Sequence, residues 1–181
     1  TSAQCPRNPK GSLDIIQPFL VLQLKLFEDR SFSLELVVID AQHQRKRLYF
    51  SSNFKDIDAN NIQAKIPWFP LENENWQSVV LDMPSLVSFC FPGSVFESLD
   101  SFSIHPVCQL RKIFSLPTAP IAGSISPQLE FPAGVVSNMK VFAAPEKKAV
   151  AAPKEAQLHI KGLQAKIKGN ISGGAVQSKL G

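Results

Sequence analysis

The feature that most constrains this chain is alternation with a period of two. Residues 19–26 read Phe-Leu-Val-Leu-Gln-Leu-Lys-Leu, with Leu20, Leu22, Leu24 and Leu26 on one face. The opposite face changes from apolar to polar, the pattern of a half-buried β-strand. Residues 28–31, Glu-Asp-Arg-Ser, break the run. Then Phe32, Leu34, Leu36 and Val38 alternate with Ser31, Ser33 and Glu35. The two runs are expected to be adjacent antiparallel strands joined by a short loop.

Residues 41–44 form the next loop and residues 45–51 a third strand. A fourth, over residues 62–69, contains Pro67, which suits an edge or a bulge. Residues 76–81 make a fifth. Pro84 opens a stretch, residues 85–91, with room for one or two helical turns, and Gly93 is a natural stop. Strands over 101–104 and 108–116 complete the set. In the last, Cys108, Leu110, Lys112 and Phe114 share one face, opposite Gln109, Arg111 and Ile113. About seven short strands at this spacing argue for an all-β antiparallel sandwich. No βαβ alternation is visible, which argues against parallel pairing.

After Leu116 the character changes. Pro117, Pro120, Pro127 and Pro132 punctuate a Ser/Gly/Ala-rich run, and Ala, Pro and Lys dominate residues 143–154. All aromatic residues precede position 143, so the end of the chain has little to bury. The reading is a sandwich domain over residues 1–117 and a disordered Pro/Ala/Gly/Lys-rich tail over 118–181. Charge divides at the same place. Residues 1–117 carry 11 Lys/Arg against 12 Asp/Glu, and residues 118–181 carry 8 Lys against 3 Glu. The first residue is not Met, which suggests processing or a fragment.

Signals for catalysis are missing. No GxGxxG, GxxxxGKS or GxSxG sequence is present, and the Gly-rich run at 169–174 follows no strand. His43, His105 and His159 are remote from one another, and no histidine pair has metal-ligand spacing. Cys5, Cys90 and Cys108 are odd in number and widely spaced, which fits a reducing compartment. The chain is read as a non-enzymatic protein without cofactor or metal, and no apolar run approaches the roughly 18 residues needed to cross a bilayer.

Two features stand out. Arg45-Lys46-Arg47 lies on one predicted strand and Arg111-Lys112 on another. Arg45 and Arg47 should project to one face and Lys46 to the other. Such charges either solvate a sheet face and deter edge aggregation, or dock an acidic partner. The second feature is Trp76, which at a strand start is expected to anchor the core.

Taken in order, several segments carry a resemblance. They are residues 19–23 (Phe-Leu-Val-Leu-Gln), 45–52 (Arg-Lys-Arg-Leu-Tyr-Phe-Ser-Ser), Trp76 with Leu81-Asp82, and 108–116 (Cys-Gln-Leu-Arg-Lys-Ile-Phe-Ser-Leu). With these the chain resembles the cilia- and flagella-associated protein 20 domain family. Residues 64–67 and 96–100 bring it nearest to the larger proteins containing that domain. Coverage runs from about Gln4 to Leu116. The resemblance implies a jelly-roll-like sandwich similar to carbohydrate-binding modules but used for assembly, in the cytoskeleton of the ciliary axoneme or basal body. It implies tubulin and neighbouring axonemal proteins as partners, with Arg45, Arg47, Arg111 and Lys112 meeting tubulin's acidic surface. It also implies family strands upstream of the segment matching Gln4-Cys5-Pro6, lacking here. Two other binding classes compete. A nucleic-acid binder would use the basic tail and strand patch, and a carbohydrate binder would need Trp68, Trp76 and Tyr49 as exposed platforms.

Overall fold

A computed structural model describes residues 3–8, 10–28, 30–68, 75–105, 107–121, 125–135 and 137–142. Among the described residues, ten strands and one helix follow in order: β1 (Ala3–Cys5), β2 (Phe19–Leu26), β3 (Ser33–Asp40), β4 (Arg45–Ser51), β5 (Asp58–Ala59), β6 (Gln63–Pro67), β7 (Trp76–Asp82), α1 (Met83–Cys90), β8 (Phe96–His105), β9 (Cys108–Leu116) and β10 (Ser137–Phe142). They form two sheets. Sheet A has the order β1-β8-β3-β4-β6-β5, and sheet B the order β10-β7-β2-β9.

The leucine face of β2 is the inner face of sheet B, where Leu20, Leu22 and Leu24 pack with Val79 and Leu81 of β7. Sheet A answers with Leu34, Leu36 and Val38 of β3, Leu48 and Phe50 of β4, and Ile66 of β6. Each such side chain is stabilised by about 1.5–3 kcal/mol on full burial. The all-β sandwich is therefore the observed fold. Among the strand boundaries, those of β2, β4 and β9 coincide with the runs read from sequence.

Four expectations need correction. First, β2 and β3 do not pair; they lie in opposite sheets, and Phe32 is buried where the chain crosses between them. Alternation marks which face is buried, not which strand lies alongside. Second, two pairs are parallel, β4 with β6 and β7 with β10. Both partners arrive by loops rather than crossover helices, so the sequence carries no βαβ mark. Pro67 at the end of β6 lies beyond the two-residue pairing with β5, where its missing N–H costs nothing. Third, β10 falls in the segment read as tail. It pairs with β7 over six residues, and Phe142 enters the core against Phe50 (5.4 Å between centroids) and Trp68 (5.6 Å). The compact unit accordingly runs past Pro117, over Thr1–Ala144. The expected tail from residue 143 onward lies outside the described residues.

The fourth concerns Trp76, which does not join the main core. It lies on the outer side of sheet B against Phe131, 5.9 Å between centroids. Trp68 takes the core position instead, 5 % exposed and 4.7 Å from Phe32.

Helix α1 begins where Asp82 accepts hydrogen bonds from Ser85 N (3.1 Å) and Ser85 Oγ (2.7 Å), with proline in the first turn. Its Met83, Leu86, Val87 and Cys90 are buried. Gly93, at φ +89°, sits in the turn that follows, a conformation that suits glycine.

Candidate interaction surface

Strand β4 runs through the middle of sheet A, between β3 and β6. Its sequence alternates Arg45, Arg47, Tyr49 with Lys46, Leu48, Phe50, and the second set faces the core. The first set therefore faces outward. Arg45 pairs with Asp100 (3.2 Å) and Arg47 with Glu35 (3.6 Å), and Arg47 Nη1 also donates to the Tyr49 hydroxyl (3.3 Å). The hydrogen bond to Tyr49, and further the Glu35 charge, raise the Arg47 guanidinium above its ordinary value against a cost of burial. Both arginine side chains remain more than half exposed, at 64 % and 56 %. Lys65 stands opposite Tyr49 on β6 and pairs with Asp58 at 3.5 Å. Of these pairs only Lys65–Asp58 is exposed at both ends, where an ion pair is worth about 0–1 kcal/mol; Asp100 and Glu35 lie beneath the arginines, 7 % and 22 % exposed, and leave the outer side of each guanidinium open.

Beside the arginines the outer face is concave. A hollow of about 330 Å³ is bordered by Gln4, Pro6, Glu35, Arg47, Asp100 and His105, drawn from four separate stretches of chain. Sequence reasoning did not find His105, Glu35 or Asp100 as neighbours of the arginines. Only the strand order, which puts β3 and β8 beside β4, brings them together.

Lys46 points inward, as expected, and serves the fold. It is 5 % exposed, donates to Asn61 O (2.7 Å) and Gln44 Oε1 (3.0 Å), and pairs with Asp40 at 3.6 Å. Asp40, 1 % exposed, accepts from Gln44 N (2.8 Å), Gln42 N (3.1 Å) and Ser94 Oγ (3.1 Å). Burial pushes its carboxyl upward, but these donors and Lys46 together leave it below the usual range.

Arg111 and Lys112 are elsewhere. They lie on β9 in sheet B, where a bulge interrupts the pairing: Gln23 faces Lys112 and Leu24 faces Leu110, leaving Arg111 as the extra residue. The bulge breaks the strict alternation read from sequence, so both cations reach the same segment. Arg111 donates to Gln23 Oε1 and stacks on the Phe131 ring (5.1 Å), while Lys112 Nζ donates to Gln128 O. The four candidate residues thus form two pairs on the two different sheets. Among the described residues, no three His, Cys, Asp or Glu side chains converge as a metal site would require.

Comparison with known proteins adds a family. The CFA20 domain profile matches residues 1–118. Proteins named "Cilia- and flagella-associated protein 20" are similar to this chain. The one from Caenorhabditis briggsae is 27% identical over 61% of this chain and 52% of its own length. Those from Chlamydomonas reinhardtii and Paramecium tetraurelia are each 26% identical, over 63% and 60% of this chain and 58% and 55% of their own lengths. The chain spans about half the length of these curated relatives.

Proposed function

The chain belongs to the CFA20 domain family, and from that premise we propose that it is a non-catalytic structural module of the cilium or flagellum. The relatives from Caenorhabditis briggsae, Chlamydomonas reinhardtii and Paramecium tetraurelia carry cilia and flagella in their names. In this reading the outer face of sheet A docks an acidic protein surface, tubulin foremost, with neighbouring axonemal proteins beside it, at the axoneme or basal body.

The observation that carries the reading is the pair Arg45 and Arg47. They stand two residues apart on one strand, more than half exposed, at the rim of a concave face, and their own acidic partners hold them only at its surface. A guanidinium in that position keeps its own carboxylate beneath it and has N–H donors left on its outer side, and its planar fork can donate to an incoming carboxylate at two points. Arg111 and Lys112 are set apart from this pair because they lie on the other sheet, where they hold Gln23, Phe131 and Gln128 of the chain itself. The glycan reading loses its main platform with Trp68 in the core.

Co-sedimentation with microtubules in the presence of competitor RNA tests the proposal. The unsubstituted chain should pellet, and Arg45→Ala/Arg47→Ala should weaken pelleting roughly tenfold or more, the loss of two charge-assisted contacts. Pelleting that RNA abolishes, or that the double substitution leaves unchanged, would mean general polycation attraction instead.

A further inference from the structure

The outer face of sheet B holds an arrangement that the docking surface does not use. Gln23 and Ser78 lie there, 1 % and 5 % exposed, beside Trp76, Arg111 and Lys112. Residues 126–131 sit on this face. Ser126 to Leu129 make a β-turn, with Leu129 N donating to Ser126 O at 2.8 Å and Pro127 in the second position, which its fixed φ favours. What holds the turn is its backbone: Gln23 Nε2 donates to Leu129 O (2.6 Å) and Lys112 Nζ to Gln128 O. One side chain supplies the anchor. Phe131 lies between the Arg111 guanidinium (5.1 Å) and the Trp76 ring (5.9 Å).

Donors aimed at main-chain carbonyls accept any sequence that makes the same turn. An Arg–Trp clamp accepts any aromatic ring. The present occupant is held at few points, since eight of the eleven residues 125–135 are exposed. It also fills the site incompletely, leaving a hollow of about 490 Å³ between Gln23, Ser78 and Met139 on the sheet and Leu129 and Phe131 above. A hollow of that size accommodates side chains larger than those now present.

We propose that this slot is a docking site for a partner protein segment in which a proline-initiated turn precedes an aromatic residue, in the pattern Pro-x-x-x-aromatic, and that residues 126–131 are its intramolecular occupant, displaced when the partner binds. The slot lies on the sheet opposite Arg45 and Arg47, so its failure leaves the sheet A proposal standing, and the reverse holds.

The test uses the full chain and a fluorescent synthetic peptide of residues 125–135, read by anisotropy and by Trp76 emission. Phe131→Ala releases the resident ring; Pro127→Ala, at an exposed position, loosens the resident turn independently. Either substitution should tighten peptide binding at least tenfold relative to the unsubstituted chain, with the thermal midpoint confirming the fold. Adding Arg111→Ala should abolish that binding, and a peptide bearing alanine in place of its phenylalanine should not bind. Absence of binding to both loosened chains, equal affinity for loosened and unsubstituted chains, or binding indifferent to Arg111→Ala would each overturn the proposal.

Discussion

Within the basic run of β4, one charge behaves unlike its neighbours. Arg45 and Arg47 meet water, while Lys46 is folded into the end of the sandwich against Asp40. Removing one partner of a buried pair strands the other, so Asp40→Asn should lower stability by about 3 kcal/mol, measured by urea unfolding at neutral pH. The pH dependence has a definite sign. Asp40 titrates below its ordinary value when folded, so the unfolded chain takes up the proton first as pH falls. Its contribution is complete above about pH 4 and is lost as pH drops further through the folded value. Asp40→Asn should remove that part of the acid destabilisation, seen as a flatter urea midpoint on the acid side. Cys90 offers a separate check. Burial pushes its thiol up to about 11, so alkylation of the native protein in mildly alkaline buffer should leave it unmodified, read by mass spectrometry. Modification of Cys90 as fast as in the unfolded chain would contradict the packing of α1.

Strands buried on one face were legible in the sequence, and the reason is visible in β3, where inner and outer positions alternate without interruption from Ser33 to Asp40. Helix α1 was legible too, through Pro84 and the residues around it. Asp82→Ala should cost about 1 kcal/mol in unfolding free energy, the usual worth of an N-cap. What could not be read was long-range. Partnership of β2 with β7 and β9, rather than with β3, depends on contacts far along the chain. The bulge at Arg111 leaves no local mark either. Strand β10 was hidden because Ser137-Asn138-Met139-Lys140-Val141-Phe142 buries one ring and little else. That ring matters: Phe142→Ala should cost about 3 kcal/mol, whereas Val141→Ser, on the exposed side, should cost under about 0.5 kcal/mol. Equal effects from the two would contradict the placement of β10.

At the scale of the whole molecule, the sandwich presents two outer faces with different chemistry. Sheet A offers two arginines open on their outer side above acidic neighbours; on sheet B Arg111 holds Gln23 and Phe131, and Lys112 holds Gln128. The outward placement of Arg45 and Arg47 was legible, since it needed only the period of a strand. The surroundings of Arg111 and Lys112 were not legible, because two cations on an edge strand look the same in sequence whether water or the chain's own oxygens, here Gln23 Oε1 and Gln128 O, receive them. The family resemblance was readable from ordered segments, and the match over residues 1–118 bears it out. The most direct test of the docking face is zero-length carbodiimide coupling of the chain to microtubules, followed by mass spectrometry. This chemistry joins lysine amines to carboxylates in contact. On sheet A the reporting amine is Lys65, opposite Tyr49 and beside Arg47; on the outer face of sheet B the reporting amines include Lys25 and Lys112. Docking through sheet A predicts cross-links from Lys65 to tubulin carboxylates and none from Lys25 or Lys112. Cross-links confined to Lys112 or to the lysines beyond residue 142 would contradict it.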